Sequence, residues 1–216
     1  MGYRASDLAI EASYPLGRIT VGYTGGGGIR DSFKVEVGYM RRISVLKADV
    51  LSAFRHPAGG EGFRVLTPAR EELFANKWCT MLYRGSSRDL FEVYRIAGLG
   101  VDLGVFRVCA VVDSLMRGLP MLHEVDVEKV VGGIPVDSGL RNLLHGGGEA
   151  LDVDEMRGRV LEFSRVVQSG LSEGQREAIR VFHLEKRFSQ ELVDRDGVLN
   201  PEIRDHPSIL RALQGS

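Results

Sequence analysis

The chain predicts an α+β protein, and two observations carry that prediction. Residues 14 to 66 are rich in β-formers and glycine turns, whereas from Pro68 onward nearly every segment is amphipathic with helical spacing. The later segments are punctuated by the breakers GLP, GGIP and HGGG, which divide them into the pieces of a helical bundle. We expect two regions, a core over residues 1–98 and a helical region over residues 99–216. No repeat of fixed period and no low-complexity tract is present.

Three runs read as strands: RITVGY (Arg18 to Tyr23), FKVEVGY (Phe33 to Tyr39) and FRVL (Phe63 to Leu66). Gly25 to Gly28 lie between the first two and predict a hairpin connection. A phosphate-binding loop would open a helix, and nothing helical follows until after the second strand. In the second strand Phe33, Val35, Val37 and Tyr39 share one face and Lys34, Glu36 and Gly38 the other. By alternation alone, Lys34 and Glu36 are the solvated face of a half-exposed strand.

The first helix is expected to start at Thr67 and Pro68, with the hydroxyl as N-cap and proline at the first helical position. Glu71 and Glu72 then meet the positive end of the helix dipole. Leu73, Phe74, Trp78, Met81 and Leu82 mark its buried face, and Lys77 falls at the edge of that face with its stem packed and its ammonium free. Gly85, Ser86 and Ser87 break the helix, and Ser87 is placed to cap a second one that carries Arg88, Asp89, Leu90, Phe91, Val93, Tyr94 and Ile96. Lys77, Arg84, Arg88 and Asp89 are thereby brought near one basic loop. Further amphipathic segments fall near 102–117, 126–131, 137–145, 152–169 and 173–189.

Composition is that of an ordinary globular protein, with 44% hydrophobic and 26% charged residues in 216. No apolar run approaches the roughly 18 residues of a membrane helix, and the N-terminus lacks a basic start followed by an apolar core, so a cytoplasmic protein is expected. Two cysteines, Cys79 and Cys109, exclude a disulfide framework and read as buried free thiols. A formal net charge of −1 confines any polynucleotide contact to a local patch, either Arg41 with Arg42 or Arg84 with Arg88. Both pairs read equally well as solvated charge.

The Glu-Leu-Phe-Ala-x-Lys helix, the arginine after it and Arg-Asp-Leu-Phe-x-Val-Tyr together resemble the AbiEii/AbiGii-type toxin nucleotidyltransferases, relatives of the DNA polymerase beta superfamily. FKVEVGYMRR resembles the strand that carries that family's third carboxylate, and DHPSILRAL its terminal His-Pro helix. The resemblance implies a partial nucleotidyltransferase-like mixed sheet with helices. It also implies transfer of a nucleotide from a nucleoside triphosphate, with RNA as acceptor in some relatives, Mg2+ as cofactor and an antitoxin as partner. On it, Glu36 is the metal carboxylate, Lys77 the charge on the triphosphate, and Asp89 the group that orients Lys77 or a nearby arginine. Lys34, Arg84 and Arg88 are then substrate contacts. The family's Gly-Ser turn and Asp-x-Asp are expected before the strand that ends near Tyr23 and are not found there, so a missing segment or another chain is expected to supply them. Asp152 and Asp154 form an Asp-x-Asp far downstream, which reads as helix-capping acids, and His206 before Pro207 reads as a turn and cap device. Three functions compete: a nucleotidyltransferase completed from elsewhere, an inactive relative that binds nucleotide, RNA or a partner, and a helical interaction protein.

Overall fold

A computed structural model describes residues 8–25, 27–47, 49–55, 59–137, 140 and 152–215. The chain divides into two compact units, Met1–Arg42 and Ile43–Ser216. Most of the amphipathic stretch expected near 137–145, with Gly146 to Gly148, lies outside the described residues.

The first unit is a three-stranded antiparallel sheet of β1 (Leu8–Ser13), β2 (Leu16–Thr24) and β3 (Arg30–Gly38), in that order. Register sorts the side chains cleanly. Leu8 stands opposite Val21 and Ile10 opposite Ile19, while Val21 pairs with Phe33 and Ile19 with Val35, so these residues share one apolar face. Glu11, Arg18 and Glu36 line up across the other face, with Thr20 beside Lys34. The two faces read from FKVEVGY therefore hold, but β3 is exposed along its whole length rather than on one face, and the glycine segment is a hairpin connection closed by a Gly28 N–H to Gly25 carbonyl bond of 3.0 Å. β1 was not expected; its sequence LAIEAS alternates, but alanine and glutamate are weak strand formers.

The second unit opens with Val45 and Leu46, held against the distant Val198–Asn200 segment by Lys47 N–H to Val198 O (3.1 Å) and Asn200 N–H to Val45 O (2.9 Å). A two-stranded antiparallel hairpin follows, β4 (Val50–Phe54) and β5 (Phe63–Thr67). All strand pairings among the described residues are antiparallel, so the mixed character that the resemblance implies is not seen in them. Eight helices come next among those residues: α1 (Arg70–Arg84), α2 (Ser87–Ala97), α3 (Leu103–Arg117), α4 (Val127–Gly133), α5 (Val153–Ser169), α6 (Glu173–Glu185), α7 (Gln190–Val193) and α8 (Pro207–Gln214). α1 packs on α2 and α3, α2 on α5, and α3 on α6 and α8.

The start of α1 differs from the sequence expectation. Its N-cap is Ala69, with no side-chain cap. Thr67 belongs instead to β5, where its hydroxyl donates to the Val50 carbonyl (3.2 Å) and pairs with the Ser52 hydroxyl (2.9 Å), so the hairpin takes the group that the helix was expected to use. The buried face of α1 is also rotated. Glu72, Ala75, Trp78, Cys79 and Met81 are buried, while Leu73 is exposed and Phe74 and Leu82 are half-buried. Small residues explain the rotation, because Ala75 and Cys79 let α3 approach until the Cys79 thiol lies 3.5 Å from the Ala110 carbonyl. Glu72 is buried because it accepts the Leu46 N–H (3.1 Å). Both cysteines are buried free thiols, and burial pushes the Cys109 thiol well above its usual range.

The other capping expectations hold. Asp152 caps α5 by accepting the N–H groups of Asp154 (2.9 Å) and Glu155 (3.0 Å), which fills the roles read for the downstream Asp-x-Asp. His206 caps α8 through Nδ1, which accepts the Ser208 N–H at 3.0 Å, with Pro207 at the first helical position.

Trp78 is the largest fully buried side chain. Its indole N–H donates to Ser164 Oγ of α5 at 3.0 Å, and its ring meets Phe106 of α3 edge-on at 6.1 Å. Trp78→Ala is expected to lower stability by about 3–5 kcal/mol, the cost of emptying a large apolar site. Urea titration followed by far-UV circular dichroism checks this; a loss below about 1 kcal/mol would mean that the three helices do not depend on this junction.

Candidate functional site

The candidate site grows from the α1–α2 turn. α1 ends because Gly85 adopts the left-handed conformation (φ 63°, ψ 43°), in which its N–H reaches the Met81 carbonyl at 2.9 Å. The chain then re-enters a helix through a capping box. Ser86, rather than the expected Ser87, is the N-cap: its Oγ accepts the Asp89 N–H (3.3 Å), and Asp89 Oδ2 accepts the Ser86 N–H (3.4 Å). The shift follows from the box spacing, since Asp89 stands three residues after Ser86.

Asp89 does more than cap. Arg84 donates Nε to its Oδ2 (2.9 Å) and Nη2 to its Oδ1 (2.5 Å), a two-pronged pairing, and Ser86 Oγ donates to Oδ2 at 2.6 Å. Its side chain is 1% exposed. Burial pushes the carboxyl up, but the bonds from Arg84 and Ser86 and the Arg84 charge outweigh it, so the group sits below the usual carboxylate range. The hydrogen bond and charge of Asp89 in turn raise Arg84 above its ordinary value. Of the two orienting roles read for Asp89, the arginine is the partner it holds.

Lys77 finds a different carboxylate. Its Nζ lies 3.0 Å from Glu92 Oε2 on α2, and Arg88 Nε lies 3.4 Å from Oε1 of the same residue. Glu92 thus bridges the two helices and gathers Lys77 and Arg88 onto one carboxylate. Sequence reading missed Glu92; the signal that was present is its i, i+4 spacing from Arg88. The Lys77 side chain is 47% exposed and that of Arg88 74%, so both cations face solvent at the edge of the core.

Glu36 and Lys34 belong to the first unit. Glu36 Oε1 accepts from Arg18 Nε at 2.8 Å across the strand pair, and Arg18 also lies 3.7 Å from Glu11. Lys34 is exposed on the same polar face. No group of three His, Cys, Asp or Glu residues capable of holding a metal ion occurs among the described residues. Glu36 is paired with Arg18, and the described residues place no second or third carboxylate, histidine or cysteine with it to form a metal-binding group.

A family model described as Nucleotidyl transferase AbiEii toxin, Type IV TA system, matches residues 3–138, which runs from the first sheet through α4 and includes the whole α1–α2 turn. The match covers more than half of the chain and sets its class as a nucleotidyl transferase toxin of a toxin–antitoxin system. The chain belongs to the AbiEii family. No curated protein and no solved structure matches it. No helix among the described residues is long and apolar enough to cross a membrane.

The lowered Asp89 carboxyl has a consequence in acid. A carboxylate depressed in the folded state stabilises above its unfolded pKa of about 3.9, and that contribution is lost as pH falls through the lower folded value. Asp89→Asn is therefore expected to lower stability by about 1.5–3 kcal/mol at neutral pH, the scale of hydrogen bonds to a charged group. The difference from wild type should shrink below about pH 4. Melting curves from pH 7 down to pH 2 read it; a difference that stays constant across that range would show that the charge on Asp89 is not what holds the turn.

Proposed function

We propose that the chain binds the triphosphate of a nucleoside triphosphate through Lys77 and Arg88, with Arg84 as an outer contact, in the service of nucleotidyl transfer to an RNA acceptor. The observation that carries this reading is the Glu92 bridge, which collects two solvent-facing cations on one carboxylate across the α1–α2 turn. A triphosphate offers those cations a denser negative charge than one carboxylate does, so Glu92 acts as an internal occupant that the substrate replaces. Arg84 is held in shape by Asp89 and keeps a side chain 59% exposed, which leaves its outer edge free to meet a phosphate. Lys77 would stabilise the charge that develops on departing pyrophosphate.

In this reading Glu36 is the third carboxylate of the transfer centre, Lys34 assists in substrate binding, and two further carboxylates come from outside the described residues or from another chain. A chain without them binds the triphosphate and does not turn it over, which is the alternative reading. The reading places the protein in the cytoplasm, paired with an antitoxin.

The test measures binding and transfer separately. Titration with a nucleoside triphosphate should show affinity that falls about ten-fold or more in Lys77→Ala, a loss on the scale of one charge-assisted phosphate contact, with little change in melting temperature. Glu92→Gln should move affinity the other way, because it removes the competing carboxylate. Transfer of label from α-labelled nucleotides to RNA then separates the enzyme from the binding protein. If Lys77→Ala lowers the melting temperature as much as Trp78→Ala and leaves affinity unchanged, Lys77 is structural and the proposal fails.

A further inference from the structure

We infer that the chain forms a two-fold dimer by antiparallel pairing of β4 with the β4 of a second copy. Two strands alone are marginally stable in water, and a third strand on an apolar face or packing against a helix is needed for independent stability. β4 and β5 form a two-stranded sheet, and Val50, Leu51, Phe54, Phe63, Val65 and Leu66 are all exposed on it. Among the described residues of the second unit no further strand joins this hairpin.

The edges of the described strands differ in protection. Proteins protect free strand edges with charges, proline or bulges. β1 carries Glu11, β3 carries Arg30, Asp31, Lys34 and Glu36, and β5 carries Arg64 at its second position. β4 reads Val-Leu-Ser-Ala-Phe, with no charge and no proline, and pairs with β5 without interruption from Val50↔Thr67 to Phe54↔Phe63. Its outer edge is the one unprotected edge among the described strands.

β4 itself is a fitting partner for this edge. The segment Asp49-Val50-Leu51-Ser52-Ala53-Phe54-Arg55 is complementary to itself when run antiparallel about Ser52. Val50 then faces Phe54 of the second copy, Leu51 faces Ala53, and Ser52 faces Ser52. Asp49 falls opposite Arg55 of the second copy at both ends, so the register is closed by two opposite-charge pairs. Both residues are exposed. Asp49 is engaged through Oδ1 by the Ser44 hydroxyl, and Arg55 has no hydrogen bond or ion pair among the described residues. Pairing by this register is isologous and closed, and it yields a four-stranded sheet in the order β5-β4-β4-β5. On one face it would join Val50, Phe54, Phe63 and Val65 of each copy, extending the Phe54–Phe63 ring contact at 5.0 Å.

Sedimentation equilibrium of the full chain, from micromolar to submillimolar concentration, tests this by charge swap. Wild type is expected to dimerise. Asp49→Arg and Arg55→Asp, each alone, place like charges opposite one another at both ends and should weaken dimerisation about ten-fold or more. An equimolar mixture of the two variants restores both pairs and should form a heterodimer. Leu51→Lys, at an exposed position, should also give a monomer with an unchanged far-UV spectrum. A monomeric wild type, single variants or Leu51→Lys that still dimerise as wild type does, or a mixture of folded variants that stays monomeric would each overturn the inference.

Discussion

The rotation of α1 about its own axis decides what the second unit can present. Ala75, Trp78 and Cys79 turn inward because the indole N–H reaches Ser164 on one neighbour while the two small residues admit the backbone of α3 on another. Polar bonds lock the same rotation from the side: Asn76 donates to Asp113 at 3.1 Å, and Arg117 of α3 reaches Thr80 at 2.9 Å. Once Trp78 is inside, Lys77 has no choice but the rim, since neighbouring side chains on a helix point about 100° apart. A lysine at the rim packs its stem and keeps its ammonium in water.

Charge at the turn is nearly balanced, and the balance is uneven in strength. Lys77, Arg84 and Arg88 face the two carboxylates of Asp89 and Glu92, so one positive charge is in excess. Asp89 is buried and bonded by both Arg84 and Ser86, which makes that pair part of the fold. Glu92 and its two cations are partly solvated, and such pairs contribute about 0.2–1 kcal/mol each. The first pair closes the turn between α1 and α2. The second can be given up to a stronger anion at small cost.

Much of this was legible in the chain because local rules acted alone. The Gly85 stop, the acidic cap at Asp152, the His206-Pro207 start and the two faces of β3 each depend on neighbours within a few residues, and each stands where the sequence put it. The misses share a different cause. Thr67 has good N-cap chemistry, but the Val50 carbonyl and Ser52 hydroxyl, far away in sequence, claimed its hydroxyl first. Leu73 fits the apolar stripe by spacing, yet the small residues that let α3 approach turned it outward. Glu92 was hidden because its meaning lies in Lys77 on another helix, and β1 and β4 were hidden because their short runs contain alanine, serine or glutamate.

The two units differ in how they are held, and that bears on Glu36. The second unit encloses a continuous core from Val45 to Ile209, whereas Val21 is the one large apolar side chain of the three-stranded sheet that is buried among the described residues. The sheet therefore relies on its backbone ladder and cross-strand pairs, and such regions lie at the low-stability end of a protein. The Arg18–Glu36 pair sits on the polar face of that sheet with side chains 37% and 46% exposed. An exposed pair of this kind gains little from its partner, so Glu36 can exchange Arg18 for another cation without loss of fold. The same logic governs Lys77 and Glu92: in both units the residues proposed for chemistry are held by solvated ion pairs weak enough to be replaced, while Trp78 and Asp89 are held by burial.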